Sequence, residues 1–183
     1  MATNLYEAFS NPLTGETFKR IPNQEDIYSM EWTVQPKGYA ALEHIHYYQD
    51  EIFHVKKGQL RILIDGKETI ASVGETVIVP RGKSHIPYNN TDEVLECVVD
   101  YTPMLDYPVF FQFFIGLQID KDYDTTGKVS IPKMSYFIFK TKLKALARPT
   151  SIPAPFFKMA VLFFGVAGSL AGWNKQLERY IGE

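Results

Sequence analysis

The sequence is poor in cysteine: Cys97 is the single one among 183 residues. That excludes an intramolecular disulfide and every zinc motif built on paired cysteines, and it suits a reducing compartment. The chain also has little net charge, −2 overall. A nucleic-acid-binding domain would show a basic excess, so no nucleic-acid partner is expected. Met1–Ser10 lacks a basic stretch leading into an apolar one, so no secretory signal is expected and the expected location is cytoplasmic. There is no internal repeat and no low-complexity tract. In the tail, Met159–Trp173 is a run of 15 uncharged residues, short of the ~20 that a spanning helix needs.

Acidic residues are missing from one long region. Residues 1–124 hold 10 Lys and Arg against 19 Asp and Glu, whereas residues 125–177 hold eight basic residues and no acid. The acidic front and basic back can pack on each other, or the back can face an anionic partner or membrane surface.

What is present is an ordinary globular composition rich in aromatics, with 45% hydrophobic and 14% aromatic residues. From Ile27 to Tyr101 the text reads as short strands: Ile27–Val34, Tyr39–His46, Glu51–Val55, Leu60–Ile64, Glu68–Val73, Thr76–Val79 and Glu93–Tyr101. Asp65-Gly66 suits a tight hairpin turn. Strands of this length between regular turn signals predict an all-β barrel or sandwich. After Pro103 the pattern turns helical. Asp106 is placed to cap a helix through Leu117. Ser130 starts a second helix to about Ala147, although Lys140, Lys142 and Lys144 alternate as a strand would. Pro153 and Pro155 open a single long third helix to about Tyr180. The expected organisation is a barrel with an N-terminal extension over residues 1–104, and a helical extension over residues 105–183 packed on the barrel or on a partner.

One constellation carries chemistry. Gly38 is followed, after five residues, by His44-Ile45-His46, then after four by Glu51 and after six by Gly58. Gly74 is followed by Pro80, Gly82, His85 and Asn89 at similarly set intervals. His44 and His46, at i and i+2 on a strand, project from one face. Glu51 lies across a short turn, and His85 comes from a later strand. Three imidazoles and a carboxylate make a borderline nitrogen and oxygen donor set that suits one divalent transition metal, Fe, Mn, Ni, Zn, Co or Cu. His54 alternates to the opposite face and reads as a non-ligand. Cys97 sits on an apolar face and reads as a small hydrophobe. Tyr47, Tyr48, Phe53, Tyr88 and Tyr101 are candidates to line a cavity. No residue stands out as a general base, so the catalytic residues stay unassigned.

These ten fixed positions resemble the two motifs of the cupin superfamily, and the chain resembles its small single-domain members. The resemblance implies a mainly β fold, a double-stranded β-helix or jelly-roll barrel with C-terminal α-helices added, and a metal held near one open end by His44, His46, Glu51 and His85. It implies a small-molecule substrate or ligand. The expected function is a metal-dependent enzyme, a dioxygenase or other oxidoreductase or an isomerase. The alternative is a non-catalytic small-molecule-binding module, membrane-associated through its last helix. Shared fold does not choose among these.

In the tail, Gly165, Gly168, Ser169 and Gly172 share one helix face. Such a face lets a neighbouring helix approach closely and also occurs in membrane dimers. A homodimer is expected, and membrane contact is conceivable through residues 156–173.

Overall fold

The computed structural model describes residues 8–22, 24–40, 42–143 and 147–181. The reading of Met1–Ser10 rests mostly outside that set, as do Ala41 within the expected Tyr39–His46 strand and Lys144 within the lysine alternation.

The barrel is built from β1 (Phe9–Asn11), β2 (Glu16–Arg20), β3 (Tyr28–Val34), β4 (His44–His46), β5 (Asp50–Lys57), β6 (Gln59–Ile64), β7 (Lys67–Ser72), β8 (Thr76–Val79), β9 (Ser84–Tyr88) and β10 (Leu95–Thr102). There follow α1 (Tyr107–Ile119), α2 (Ile131–Thr141), β11 (Ala147–Pro149), α3 (Ala154–Leu170) and α4 (Asn174–Ile181). The strands form two antiparallel sheets, β1-β2-β3-β10-β5-β8 and β11-β4-β9-β6-β7. This is a mainly β double-stranded β-helix with C-terminal helices, as expected.

The sheets form because their sequences alternate. In β10, Leu95, Cys97, Val99 and Tyr101 are buried and the residues between them are not. β5 does the same with Glu51, Phe53 and Val55. Asp65 and Gly66 both have positive φ, 47° and 76°, and close the β6–β7 hairpin in two residues. The barrel core gathers Tyr28, Trp32, Phe53, Leu60, Ile62 and Val99, all 3% exposed or less.

α1 is apolar round its whole circumference because it is covered on both sides. Tyr107, Phe111 and Ile115 pack into the barrel core, while Phe113 and Leu117 join a second core with α2, α3 and α4. The Asp106 side chain makes no cap hydrogen bond; its backbone carbonyl accepts from Val109 and Phe110 instead.

The two later helices differ from the expectation. α2 starts where expected, with Ser130 Oγ accepting from the Lys133 N–H, but ends at Thr141 because Lys142 turns left-handed at φ 53°. The chain then enters β11, which pairs with β4 in the register Ala147↔His46 and Pro149↔His44. The single helix expected to run to Tyr180 is two helices bent by 99°. Gly172, at φ 75°, ends α3: its N–H reaches the Ser169 carbonyl, and the Trp173 N–H reaches Gly168 at 3.0 Å. That is the Schellman arrangement, with glycine at the left-handed position.

Of the small residues expected to share one face, Gly165 and Gly168 turn inward, whereas Ser169 and Gly172 are exposed. A methyl group at Gly165 would lie 2.2 Å from Phe139 Cγ, and one at Gly168 would lie 2.5 Å from Trp173 and Tyr136.

β2 brings in a buried carboxyl. Glu16 is 5% exposed, and Trp32 Nε1 donates to its Oε1 at 3.1 Å. Burial pushes its pKa up to about 7, against the lowering effect of hydrogen bonds from Thr14 and Trp32.

Two outcomes are expected. Alanine at Gly165 or Gly168 gains ~1 kcal/mol of helix propensity, but the overlap with fixed rings should cost more, for a net loss of ~1–3 kcal/mol. Denaturant unfolding followed by Trp fluorescence checks this, and unchanged stability would remove the close packing of α3 on α2. For Glu16, the unfolded carboxyl ionises near 4.5 and the folded one near 7, so stability is full below 4.5 and falls as pH rises through 7. Glu16→Gln should therefore raise the melting temperature at pH 8 and change it little at pH 5. An equal shift at both pH values would contradict the assignment.

Candidate metal centre

The four expected ligands come from both sheets. β4 carries His44 and His46, and its neighbour β9 places His85 opposite His44. Glu51 comes from β5 in the facing sheet. Their donor atoms all lie within 4.8 Å of one another, so the group can hold a metal ion. Three of the four residues are buried and His44 is half-buried.

The turn between β8 and β9 is tied to the ligand strands. Gly82 takes φ 83°, and its N–H donates to the His46 carbonyl at 2.7 Å. Arg81 clamps Asp50, just before Glu51, through Nε to Oδ1 at 3.0 Å and an Nη to Oδ2 at 3.1 Å. This pairing holds the Asp50 carboxyl below the usual carboxylate range. The two motifs also meet at their ends. The Asn89 N–H donates to the Gly38 carbonyl, and the Asn89 side chain donates to the carbonyls of Val34, Gln35 and Glu93. Gly38 has no room for a side chain, since a methyl there would lie 2.6 Å from Val34 and 2.8 Å from the Thr14 carbonyl. Three of the ten fixed positions, Gly38, Gly82 and Asn89, thus build the frame that aims the candidate ligands.

The imidazoles are oriented by what their outer nitrogens touch. His44 Nδ1 lies 2.9 Å from the Leu42 carbonyl and His85 Nδ1 lies 3.2 Å from the Lys83 carbonyl. A carbonyl only accepts, so each Nδ1 carries the proton and each Nε2 is free to face inward. The three Nε2 atoms converge on Glu51 Oε2 at 3.8 Å from His44, 3.2 Å from His46 and 2.7 Å from His85. Both ring nitrogens of His46 are buried without a hydrogen-bond partner, because the 3.2 Å approach to Glu51 is misaligned. On the other side, Tyr101 Oη donates to Glu51 Oε1 at 2.8 Å.

Electrostatics follow from this crowding. Burial pushes the His44 pKa down to about 4, helped by the nearby His85. Burial alone would raise Glu51, but the charge of His85 and the close approach of the three imidazoles outweigh it and hold the carboxyl well below its ordinary value. Burial lowers His85, and the Glu51 carboxylate more than reverses that. Burial, and then the charge of Glu51, holds Tyr101 and Tyr107 well above the ordinary phenol value, so both keep their protons.

His44, His46 and Glu51 open onto a cavity of about 160 Å³. Its walls are Phe18, Trp32 and Phe53 from the barrel and Phe110, Phe111 and Phe114 from α1, with Met134 from α2 and Phe157 from α3. The helices therefore close over the barrel mouth. Tyr107 stacks on Tyr101 with ring centres 3.9 Å apart. Glu16, Gln118 and Ser135 are the polar groups of the wall away from the histidines.

Of the five aromatics expected at the cavity, Phe53 and Tyr101 line it. Tyr47 and Tyr48 are exposed, and Tyr88 Oη instead pairs with Glu68. His54 faces outward between Thr76 and Asp100, at 3.0 and 3.1 Å, away from the ligand group. Cys97 is buried, and burial pushes its thiol up to about 12. Sequence reasoning missed Glu16, Tyr107 and the phenylalanines of α1. The cluster Phe110-Phe111 and Phe113-Phe114 was visible, but nothing in it says that one side of the helix faces a cavity.

Comparison with known proteins agrees with this architecture. Residues 30–101 match the cupin domain family. No functionally curated protein matches the chain. Among solved structures the chain is similar to KdgF from Halomonas sp., at 17% identity over 51% of this chain and 84% of that one, with a TM-score of 0.47. It is similar to a sugar phosphate isomerase of the cupin superfamily from Silicibacter pomeroyi, at 23% identity over 55% and 68% of the two chains, with a TM-score of 0.46. It is also similar to a conserved protein with a double-stranded β-helix domain from Klebsiella pneumoniae, at 20% identity over 54% and 79%, with a TM-score of 0.47. Residues 30–101 are a cupin domain.

Proposed function

We propose that the protein is a metal-dependent enzyme that oxidises a small, largely apolar organic molecule, with His44, His46, Glu51 and His85 holding one divalent transition metal. The observation that carries this is that the tetrad opens, through His44, His46 and Glu51, onto an aromatic-walled cavity.

The residues fit such an ion. The donor set is nitrogen and oxygen without thiolate, as borderline transition metals prefer. His44 and His85 already hold their Nδ1 protons outward, and His46 has no other partner to lose. A bound ion of this class supplies a Lewis-acid centre and, if redox-active, electrons for O₂ chemistry. The chain's own residues do the rest. Tyr101 orients the Glu51 carboxylate by donating to Oε1. The phenylalanines of α1 exclude water and select the ligand.

Cavity size and lining favour oxidation over isomerisation. An apolar cavity of ~150 Å³ takes one benzene-sized ring. A polyhydroxy substrate would press several hydroxyls against Phe and Trp faces, at ~1–3 kcal/mol for each left without a partner. A single-ring or short aliphatic molecule avoids that cost and leaves one polar group for Glu16 or Gln118. A second reading is a metal-stapled binding module, and the stacking of Tyr107 on Tyr101 across the mouth favours it.

Protein purified without tag or chelator should contain about one equivalent of transition metal, and His44→Ala/His46→Ala should lose it while remaining folded. Tyr101→Phe should weaken binding ~10-fold or more by freeing the carboxylate. Metal and proton compete for His85, whose pKa lies above the ordinary imidazole value, so affinity should fall as pH drops through that range. Metal analysis and circular dichroism check these points. A parent that takes up no metal on reconstitution, or a double variant that keeps it, would falsify the assignment. Oxygen uptake by the loaded protein with monocyclic phenols separates the enzyme from the binding module.

A further inference from the structure

The outer face of α3 is apolar and uncovered. Phe156, Met159, Leu162, Phe163, Val166 and Leu170 are each more than half exposed, from 58% at Met159 to 86% at Leu170. At 3.6 residues per turn they fall on one side of the helix, opposite Phe157, Gly165 and Gly168, which are buried. Single exposed apolar residues need no explanation, but a contiguous helix face of six does.

Charge decides what fits it. Lys140, Lys142, Lys158 and Lys175 are exposed and form no ion pair among the described residues. Many cations elsewhere are paired, as in Lys19–Glu31, Lys57–Glu96, Lys83–Asp65 and Arg179–Asp120, and those that are not, such as Lys56 and Lys67, lie in the half of the chain that is rich in acid. Lys158 stands at the edge of the apolar face. Phe139 packs on Gly165, which sets the end of α2, with Lys140 and Lys142, beside the middle of α3. No acidic residue occurs anywhere from 125 to 177. Two copies meeting through this face would bring unanswered lysines together. An anionic lipid surface answers them and buries the apolar side chains as well. No single described helix is long and apolar enough to cross a bilayer; α3 and α4 reach that length only together, across a bend of 99°.

We propose that α3 docks the protein on anionic membrane surfaces, lying in the interface with Phe156, Leu162, Phe163, Val166 and Leu170 in the lipid and the flanking lysines at the headgroups. The inference stands apart from the metal site. It does place the cavity close to lipid, because Phe157 on the same helix lines it.

The test uses the full chain in co-sedimentation with vesicles of phosphatidylcholine alone and with added phosphatidylglycerol, beside sedimentation equilibrium for mass. The expected result is binding to the anionic vesicles that weakens roughly tenfold or more at high salt, and likewise in Lys140→Gln/Lys142→Gln. Leu162→Gln/Phe163→Gln should abolish it while circular dichroism and metal content match the parent. Absence of binding to either vesicle overturns the proposal, as does equal binding to phosphatidylcholine alone. A dimer that the apolar double variant turns into a monomer, without vesicle binding, assigns the face to a second copy and also overturns it.

Discussion

Three imidazole nitrogens and one buried carboxylate share a single point between two sheets. Glu51 is 3% exposed, and its Oε2 has all three histidines within 3.8 Å. A carboxylate stripped of water is costly unless it is answered. Here Tyr101 answers one oxygen and the histidines the other. Much of the barrel serves this arrangement. The Gly82 turn fixes β4 through the His46 carbonyl, and the Arg81–Asp50 clamp fixes the start of β5. Asn89 ties the end of one motif to the beginning of the other.

The helical extension roofs this end of the barrel and supplies much of the cavity wall. α1 is hydrophobic all round because it is sandwiched, giving Tyr107 and Phe111 to the barrel and Phe113 and Leu117 to the outer helices. β11 returns from the extension to pair with the ligand strand β4, so the edge beside His44 and His46 is covered by the same chain. The chamber that results is apolar, and its few polar groups sit away from the histidines. A carboxyl whose pKa burial lifts to about 7 at that far wall is the one acid–base group there outside the ligand set and its tyrosines.

The same extension spends its small residues internally. Gly165 and Gly168 let the rings of Phe139 and Tyr136 approach α3, leaving the larger apolar residues of the helix outside. Inward packing and outward exposure thus have one cause, the segregation of small and large residues to opposite sides of one helix.

The ligand set was legible in the sequence because each residue is tied to local geometry. A period of two puts His44 and His46 on one face, and turn glycines and prolines set the strands that carry Glu51 and His85. Most strands from β3 to β10, read by alternation, and the Asp65-Gly66 hairpin were legible for the same reason. The C-terminal end of α2 and the break between α3 and α4 were not. Lys142 adopts a left-handed conformation without glycine, so β11 could not be foreseen. Gly172 ends a helix, whereas Gly165 and Gly168, identical in sequence terms, sit inside one. Sequence by itself determined a run of short strands, through periodicity and turn signals, and four candidate ligands, through spacing that resembles the cupin motifs and so implied the barrel. Tertiary structure alone decided that α1 roofs the site, that Glu16 lines it, and which face of α3 is left bare. Those outcomes depend on contacts between segments as much as a hundred residues apart, such as Asn11 with Gln118 and Arg148 with Tyr47, which no local pattern encodes.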